Sequence, residues 1–157
     1  MPHINWDEYF MGVALLSAKR SKDPNTKVGA CIVNEKKRII GIGYNGFPYG
    51  CSDDEFPWSN DKNDSFLEQK YPYVVHAEAN AILNSTQSLD GATIYVSLFP
   101  CNECAKLIIQ SGIKELVYMS DKYSGTESDD ASKRMLNAAG IKRRKISMIE
   151  VDLKCFE

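Results

Sequence analysis

Apolar side chains recur at helical spacing near the start of the chain. Trp6 and Phe10 lie four positions apart, as expected for neighbours on one face of a helix. Asn5 followed by Glu8 matches a capping box, in which each residue's side chain bonds the backbone of the other. The pattern therefore predicts a first helix over residues 6–19.

Two apolar runs follow, at residues 28–33 and 39–44, and a short polar turn separates them. They predict two strands of a hairpin.

The regular pattern is lost over residues 45–72, which are rich in Gly, Pro, Asp, Asn and Ser. A stretch of this length inside a compact domain is more often a functional lid or an insertion than a simple connection.

The rest of the chain alternates between helical and strand patterns. Helices are expected from residue 75 or 76 to 85, from Pro100 to Gly112 and over 130–139, and strands over 93–98, 115–119 and 146–151. The order is α-β-β-α-β-α-β-α-β. It predicts an α/β fold in three α-β-α layers, with a five-stranded mixed sheet and helices on both faces.

Length and composition fit an ordinary globular domain. The 157 residues are 43% apolar and 25% charged, so we expect a single domain over residues 1–157 with one sizeable core. The net charge of −2 argues against a surface that holds a long polyphosphate backbone, and we expect no nucleic-acid partner. A small anionic ligand bound by a few local cations remains compatible with this charge.

The chain also lacks signals for membranes and secretion. No apolar run approaches the roughly 20 residues needed to cross a bilayer, and the first residues show neither a basic leader nor an apolar segment. The five cysteines are odd in number and cannot all form disulfides with one another. We therefore expect no membrane partner and a reducing compartment, cytosolic or nuclear, with the cytoplasm as the predicted location.

Four residues form the most informative motif. Glu78 lies two positions after His76. Cys101 lies 25 positions after the histidine and directly after a proline, and Cys104 lies three positions further along. One imidazole and two thiolates make a three-ligand zinc site whose fourth position stays open for water. A nearby carboxylate that is not a ligand can move protons to and from that water. This H-x-E … P-C-x-x-C arrangement is a known signature of zinc-dependent base deaminases.

The geometry of the motif leaves alternatives open. Two residues apart on a regular helix, His76 and Glu78 would point about 200° away from each other. They can face one ion only if the histidine lies at the frayed start of its helix, which leaves Glu78 for chemistry. The cysteines could instead be buried structural thiols, and Glu78 a solvated carboxylate. A closed structural zinc site would need a fourth donor, such as Cys51 or another remaining cysteine.

Beyond this motif, the chain resembles the deoxycytidylate (dCMP) deaminases of the zinc-dependent cytidine deaminase superfamily over about residues 6–151. The resemblance rests on four strings: RSKDPNTKVG at 20–29, GIGYNG at 41–46, YPYVVHAE at 71–78 and LFPCNECAK at 98–106. It implies the cytidine deaminase-like fold and the hydrolysis of dCMP to dUMP and ammonia, which supplies dUMP for thymidylate synthesis. It also implies that Glu78 carries the protons and that the backbone N–H of Ala77 lies near O2 of the base.

Further residues are candidates for holding the nucleotide. By the resemblance, Asn45 holds a sugar hydroxyl, although a plain turn asparagine is the alternative. Ser21, Lys22 and Thr26 form a candidate anion site for the 5′-phosphate, against the alternative of a solvated polar loop. Tyr123 is a candidate to cover the base.

The resemblance also implies regulation and assembly. Gly43, Tyr44, Asn45 and Gly46 match the region where family members bind a regulatory deoxynucleoside triphosphate. The family is typically a homohexamer, activated by dCTP and inhibited by dTTP, usually with Mg²⁺.

Three alternatives compete with the deamination of dCMP alone. The enzyme could also accept dCTP. It could edit a base in tRNA or single-stranded DNA by using the basic run at 142–145, although such a run is usually a solvated edge or a subunit contact. The chain could instead be a zinc-stabilised nucleotide-sensing module without activity.

Overall fold

A computed structural model of the protein describes residues 2–156. The four helices are α1 (Trp6–Ala18), α2 (Ala77–Leu83), α3 (Asn102–Gln110) and α4 (Glu127–Ala138). The five strands are β1 (Gly29–Val33), β2 (Ile39–Tyr44), β3 (Thr93–Leu98), β4 (Glu115–Ser120) and β5 (Lys142–Lys145). A short 3-10 helix spans Phe66–Glu68. Within residues 2–156, no helix combines the length and apolar character needed to cross a bilayer.

The strands form one mixed sheet in the order β2-β1-β3-β4-β5. β1 pairs antiparallel with both β2 and β3, whereas β3, β4 and β5 run parallel to one another. The parallel strands are connected through α3 and α4, as parallel neighbours require crossover connections. The expected five-stranded mixed sheet is confirmed.

Alternate residues of the strands pack on opposite sides of the sheet. Cys31 and Tyr95 face α1, where they join Phe10 in one buried cluster. Ile32 and Ile94 face the other side, in a cluster built with residues of α2, α3 and α4. The sheet therefore lies between two helical layers, as the sequence predicts.

Two close approaches of the backbone hold α2 against β2. A Cβ atom added at Gly43 would lie 2.6 Å from the carbonyl oxygen of Ala77 and still nearer the backbone nitrogen of Ala81. A Cβ at Gly41 would meet the carbonyl oxygen of Ala81 at 2.6 Å. These two glycines let the helix rest directly on the strand, and α2 is the helix that begins at the metal-binding motif.

Two predicted elements lie elsewhere. The last strand is at Lys142–Lys145 rather than at 146–151, because an edge strand can be polar on both faces while pairing with one neighbour. Ile146 and Ile149 are apolar because they pack on the α1 side of the core from outside the strand. α4 begins at Glu127 rather than at 130, because Thr126 caps it by accepting a bond from the backbone N–H of Asp129.

The irregular stretch after β2 is held by its own contacts. Gly46 and Val75 form an isolated antiparallel bridge, so the two ends of the stretch meet. Between them, Phe47 and Trp58 pack with ring centroids 4.0 Å apart, and Phe56 contacts Tyr73 edge to face. We call residues 46–75 the aromatic loop.

Candidate metal centre and active-site cavity

The starts of α2 and α3 bring the three predicted ligands together. His76 is the N-cap of α2 and Cys101 is the N-cap of α3, while Cys104 lies in the first turn of α3. Nδ1 of His76 lies 3.5 Å from Sγ of Cys101 and 3.3 Å from Sγ of Cys104. The ligand atoms all lie within 4.8 Å of one another.

These distances fit a tetrahedral zinc ion. With Zn–S bonds of about 2.3 Å and Zn–N bonds of about 2.0–2.1 Å, a nitrogen and a sulfur on one ion are separated by about 3.5 Å. Within residues 2–156 the cluster of donors consists of His76, Cys101 and Cys104 alone. One tetrahedral position would therefore remain open, as in catalytic rather than structural zinc sites.

The protonation of the cluster also suits a cation. The pKa of Cys101 is lowered, chiefly because its sulfur accepts a hydrogen bond from the thiol of Cys104. The pKa of Cys104 is raised, because its thiol donates to Cys101 and is buried. Zinc binds the thiolate form, so a metal ion would displace any proton left on these two sulfurs.

The N-cap position of His76 explains how Glu78 reaches the same site. His76 has an extended backbone, with φ −71° and ψ 156°, so its ring is not bound by the helical spacing of the residues that follow. Glu78 lies in the first turn of α2, is 4% exposed and lines the same cavity. Burial raises the pKa of Glu78, while the neighbouring His76 acts in the opposite direction.

Above the cluster lies a cavity of about 460 Å³. This volume is within the usual range for sites that hold small molecules. Its walls come from the loop before β1, the aromatic loop, and the starts of α2, α3 and α4. The aromatic loop contributes Asn60, Lys62, Lys70 and Tyr71, so part of the irregular stretch lies at the cavity.

A buried ion pair, which the sequence does not reveal, ties two of these walls together. Nζ of Lys70 lies 2.6 Å from Oδ2 of Asp23, and the two side chains are 9% and 1% exposed. The amide of Asn45 joins them, donating to Asp23 at 3.5 Å and to the carbonyl oxygen of Thr26 at 2.9 Å. The two charged residues are 47 positions apart in the chain, so no local motif signals their contact.

The start of α4 forms another wall that sequence reasoning missed. Thr126, Ser128 and Asp129 line the cavity. The hydroxyl of Ser128 accepts from the backbone N–H of Asn102 and donates to its side-chain oxygen, which fastens α4 to the start of α3. The cap formed by Thr126 and Asp129 was the sequence signal that could have placed this wall.

The predicted nucleotide-binding residues divide into two groups. Asn45, Ala77, Thr26 and Tyr123 line the cavity. Ser21 and Lys22 lie outside its lining.

Both outlying residues are engaged with neighbours. The hydroxyl of the buried Ser21 accepts from the backbone N–H of Asp23. Lys22 has a side chain that is 66% exposed and pairs with Asp53 at 2.9 Å.

The predicted regulatory string has structural contacts of its own. Gly43 rests against α2, the carbonyl of Tyr44 accepts from the side chain of Asn80, and Gly46 pairs with Val75. Apart from Asn45, its members do not line the cavity.

The remaining cysteines lie apart from the cluster. Cys31 is buried in β1, Cys51 lies in the aromatic loop, and Cys155 is exposed near the chain end. Burial raises the pKa of Cys31 to about 12, as expected for an inert core thiol.

Residues 4–120 match the family model described as the cytidine and deoxycytidylate deaminase zinc-binding region. This match spans most of the chain and includes every residue of the metal cluster. The chain belongs to this family. The family description agrees with zinc as the ion for the His/Cys/Cys cluster.

Individual relatives extend the match. The chain is 57% identical over 144 residues to the human deoxycytidylate deaminase, covering 91% of this chain and 80% of the human one. It is 60% identical over 148 residues to a probable deoxycytidylate deaminase of Drosophila melanogaster, covering 91% of this chain and 73% of that one.

A solved structure shares the fold. The dCMP deaminase of the cyanophage S-TIM5, crystallised with dCMP and dUMP, superimposes with a TM-score of 0.72 at 28% identity. The match covers 92% of this chain and all of the phage chain. The cytidine deaminase-like fold expected from the sequence is confirmed.

Proposed function

We propose that this protein is a hydrolase that converts dCMP to dUMP and ammonia. The observation that carries the proposal is the open His76–Cys101–Cys104 cluster beside the buried Glu78, at the base of a nucleotide-sized cavity. The identity with named deoxycytidylate deaminases supports the choice of a deoxycytidine nucleotide. The phage relative crystallised with dCMP and dUMP supports the monophosphate.

In this proposal the metal cluster and Glu78 divide the work. Nδ1 of His76 and the sulfurs of Cys101 and Cys104 hold the zinc ion, which when bound makes water a competent nucleophile at neutral pH. The carboxylate of Glu78 takes a proton from the attacking water and delivers one to N3 of the ring. It then carries a proton to the exocyclic nitrogen, so that ammonia can leave from C4. One carboxylate thus serves as base and then as acid.

Backbone groups of α2 orient the base. Ala77 is the first residue of the helix, and the first four N–H groups of a helix have no partner within it. Ala77 is fully buried and lines the cavity. Its N–H can therefore donate to O2 of the base in a water-poor site, at little cost in reorganisation.

The loop walls hold the rest of the nucleotide. Asn45 and Thr26 are proposed for the sugar and phosphate on the evidence that both line the cavity. That Ser21 and Lys22 bind the phosphate remains a prediction, and it requires their side chains to reach the phosphate from outside the cavity lining. Tyr123, which is half exposed at the cavity, is proposed to cover the base.

We further propose the regulation and setting that the family resemblance implies. The protein forms a single deaminase domain over 1–157 that assembles as a homohexamer in the cytoplasm and supplies dUMP for thymidylate synthesis. dCTP activates it and dTTP inhibits it, with Mg²⁺ accompanying the regulatory nucleotide near Gly43, Tyr44, Asn45 and Gly46. The support for this part is the resemblance alone.

The basic run does not favour a nucleic-acid substrate. Arg144 binds Asp7 through two nitrogens, at 2.9 and 3.1 Å, and Lys145 pairs with Asp121 at 2.9 Å. These contacts pair two of the four charges of the run within the protein, which leaves Lys142 and Arg143, whereas a strand-binding groove needs a track of cations directed at phosphates.

A parallel substrate assay tests the proposal. Ammonia release is measured from dCMP, dCTP, CMP and deoxycytidine with zinc-loaded protein, with and without added dCTP and dTTP. We expect dCMP to be the best substrate and its turnover to rise with dCTP and fall with dTTP. Turnover of dCTP at a similar rate would widen the substrate class. No release from dCMP, together with salt-sensitive binding of oligonucleotides, would replace the proposal by the editing alternative.

A further inference from the structure

The ion pair between Asp23 and Lys70 links two loops, and its position at the cavity also suits it to bind a ligand. Both residues line the cavity, and their side chains are 1% and 9% exposed. A buried ammonium group is costly unless its hydrogen-bonding groups are used. The contacts around Lys70 therefore indicate what it is placed to bind.

Asp23 is fixed by four contacts. Its Oδ1 accepts from the backbone N–H groups of Asn25 at 2.8 Å and Thr26 at 3.1 Å. Its Oδ2 accepts from Lys70 at 2.6 Å and from the amide of Asn45 at 3.5 Å. The carboxylate is saturated and cannot turn, so it sets the position of the ammonium group.

Lys70, in contrast, has donors left over. An ammonium group carries three N–H donors. Within residues 2–156, Asp23 supplies the one hydrogen-bond acceptor for them. The neighbouring Asn45 has committed its amide nitrogen to Thr26 and Asp23, and its oxygen accepts from the backbone N–H of Val28 at 2.9 Å. The second lone pair of that oxygen can still accept from the sugar hydroxyl, which leaves the donated bond to that hydroxyl to Lys70.

The charge of the pair selects the kind of group that these donors can bind. Lys70 and Asp23 are together neutral, and Asp23 would repel a phosphate dianion brought close to it. A sugar hydroxyl is neutral and accepts a hydrogen bond without this penalty. The exposed Lys62, at the rim of the same cavity, is better suited to a phosphate, which stays hydrated.

We propose that Lys70, positioned by Asp23, donates a hydrogen bond to the 3′-hydroxyl of the deoxyribose of the substrate. The inference rests on the proposed function, because it assumes a deoxycytidine nucleotide in the cavity. It adds a sugar-recognising residue that the sequence motif did not indicate. It also gives the aromatic loop a direct role in choosing the substrate.

The test compares dCMP with 2′,3′-dideoxycytidine monophosphate, which lacks the 3′-hydroxyl. The unaltered protein should prefer dCMP by about 10- to 100-fold in kcat/KM, the range for one hydrogen bond to a charged group. Lys70→Met should bring this ratio close to one. The matched variant Lys62→Met should lower both values by a similar factor and leave the ratio unchanged.

A second variant is needed because Lys70→Met alone could destabilise the fold. Lys70→Met leaves a buried carboxylate without its partner, so the double variant with Asp23→Asn removes both charges together. Binding of dUMP and of 2′,3′-dideoxyuridine monophosphate to the zinc-loaded variants gives a readout without turnover. Both variants should lose the preference for dUMP.

The outcomes separate the two hypotheses. If Lys70→Met lowers activity on both cytidine nucleotides equally, Lys70 is only structural and the inference is wrong. If it spares deoxycytidine but not dCMP, Lys70 binds the phosphate, which also overturns the inference. An unaltered protein that turns over dCMP without discriminating against the dideoxy analogue refutes the inference alone. Failure to turn over dCMP refutes the proposed function itself.

Discussion

The cavity has two walls of different construction. The metal wall consists of the starts of α2 and α3, whose buried residues pack on the sheet with the large core cluster. The loop wall consists of the segment around Asp23 and the aromatic loop, which are joined by the ion pair of Asp23 and Lys70, while ring contacts hold the aromatic loop together internally. The metal wall is fixed by apolar packing, and the loop wall by ionic contacts between its two segments and aromatic contacts within one of them. Under the proposed function, the chemical step and the selection of substrate would therefore depend on different parts of the molecule.

Removal of a metal ligand should have the largest effect, because it affects the whole metal wall. Cys104→Ser replaces a thiolate ligand with a poor one at a buried position. We expect the bound zinc to fall towards zero and deamination to be lost. Metal analysis of the purified protein and ammonia release check both results.

Cys155→Ser is the matched control, since Cys155 is exposed and lies outside the cluster. It should retain both zinc and activity. A metal-free Cys104→Ser protein with full activity would contradict the assignment of the metal wall.

Glu78→Gln should separate metal binding from proton transfer within this wall. The amide keeps the size of the side chain but cannot carry protons. We expect kcat to fall by about 10²–10⁴-fold and zinc content to stay unchanged. Glu103→Gln, at an exposed position of α3 that pairs with Lys106, is the control and should keep normal kcat. Survival of activity in Glu78→Gln would show that another group moves the protons.

Trp58→Ala should weaken the loop wall and leave the metal wall intact. It removes the ring that packs on Phe47 at 4.0 Å. An aromatic pair contributes about 0.5–1.5 kcal/mol beyond its area, so we expect KM to rise by up to about tenfold with a smaller change in kcat. Steady-state kinetics measure the two separately.

Tyr49→Ala is the control for this variant, because Tyr49 is fully exposed in the same loop. It should leave KM unchanged. A large loss of kcat in Trp58→Ala at constant KM would mean that the two walls are not independent.

Asp7→Asn should affect neither wall and change only stability. Asp7 accepts two bonds from Arg144 and one from the hydroxyl of Tyr95 at 2.6 Å. The hydrogen bond from Arg144 lowers the pKa of Asp7 below its ordinary value. Since the pair is partly exposed, we expect a loss of about 1 kcal/mol in the free energy of unfolding at pH 7.

The pH dependence follows from the sign of this shift. A carboxylate whose pKa is lower in the folded state adds stability above its unfolded pKa of about 3.9 and loses it as the pH falls through the folded value. The difference between the unaltered protein and Asp7→Asn should therefore shrink below about pH 4 in urea unfolding. The exposed Asp152→Asn should match the unaltered protein throughout, and a gap that grew in acid would refute this account.

The metal wall could be predicted from the sequence because its signals are local. A histidine two positions before a glutamate, and two cysteines three apart behind a proline, specify donors at helix starts. The predicted start of α3 differs slightly from the observed one, since Pro100 and Cys101 precede the helix instead of lying in its first turn.

The contacts that hold the loop wall together could not be predicted, because they link distant residues. Asp23 and Lys70 meet only once the chain has folded, and charged residues in polar loops usually remain solvated. The predicted position of the last strand, at 146–151, was wrong for a related reason. Ile146 and Ile149 are apolar because they cover the core, while the strand beside them is stabilised by hydrogen bonds to β4 and carries no apolar pattern.

One edge of the sheet has a consequence for how copies of the chain behave when crowded. β5 is outermost and consists of four consecutive basic residues, Lys142–Lys145. A second copy that aligned its own β5 there would bring like charges side by side. Such repulsion discourages the sheet from growing outward into a fibrous aggregate.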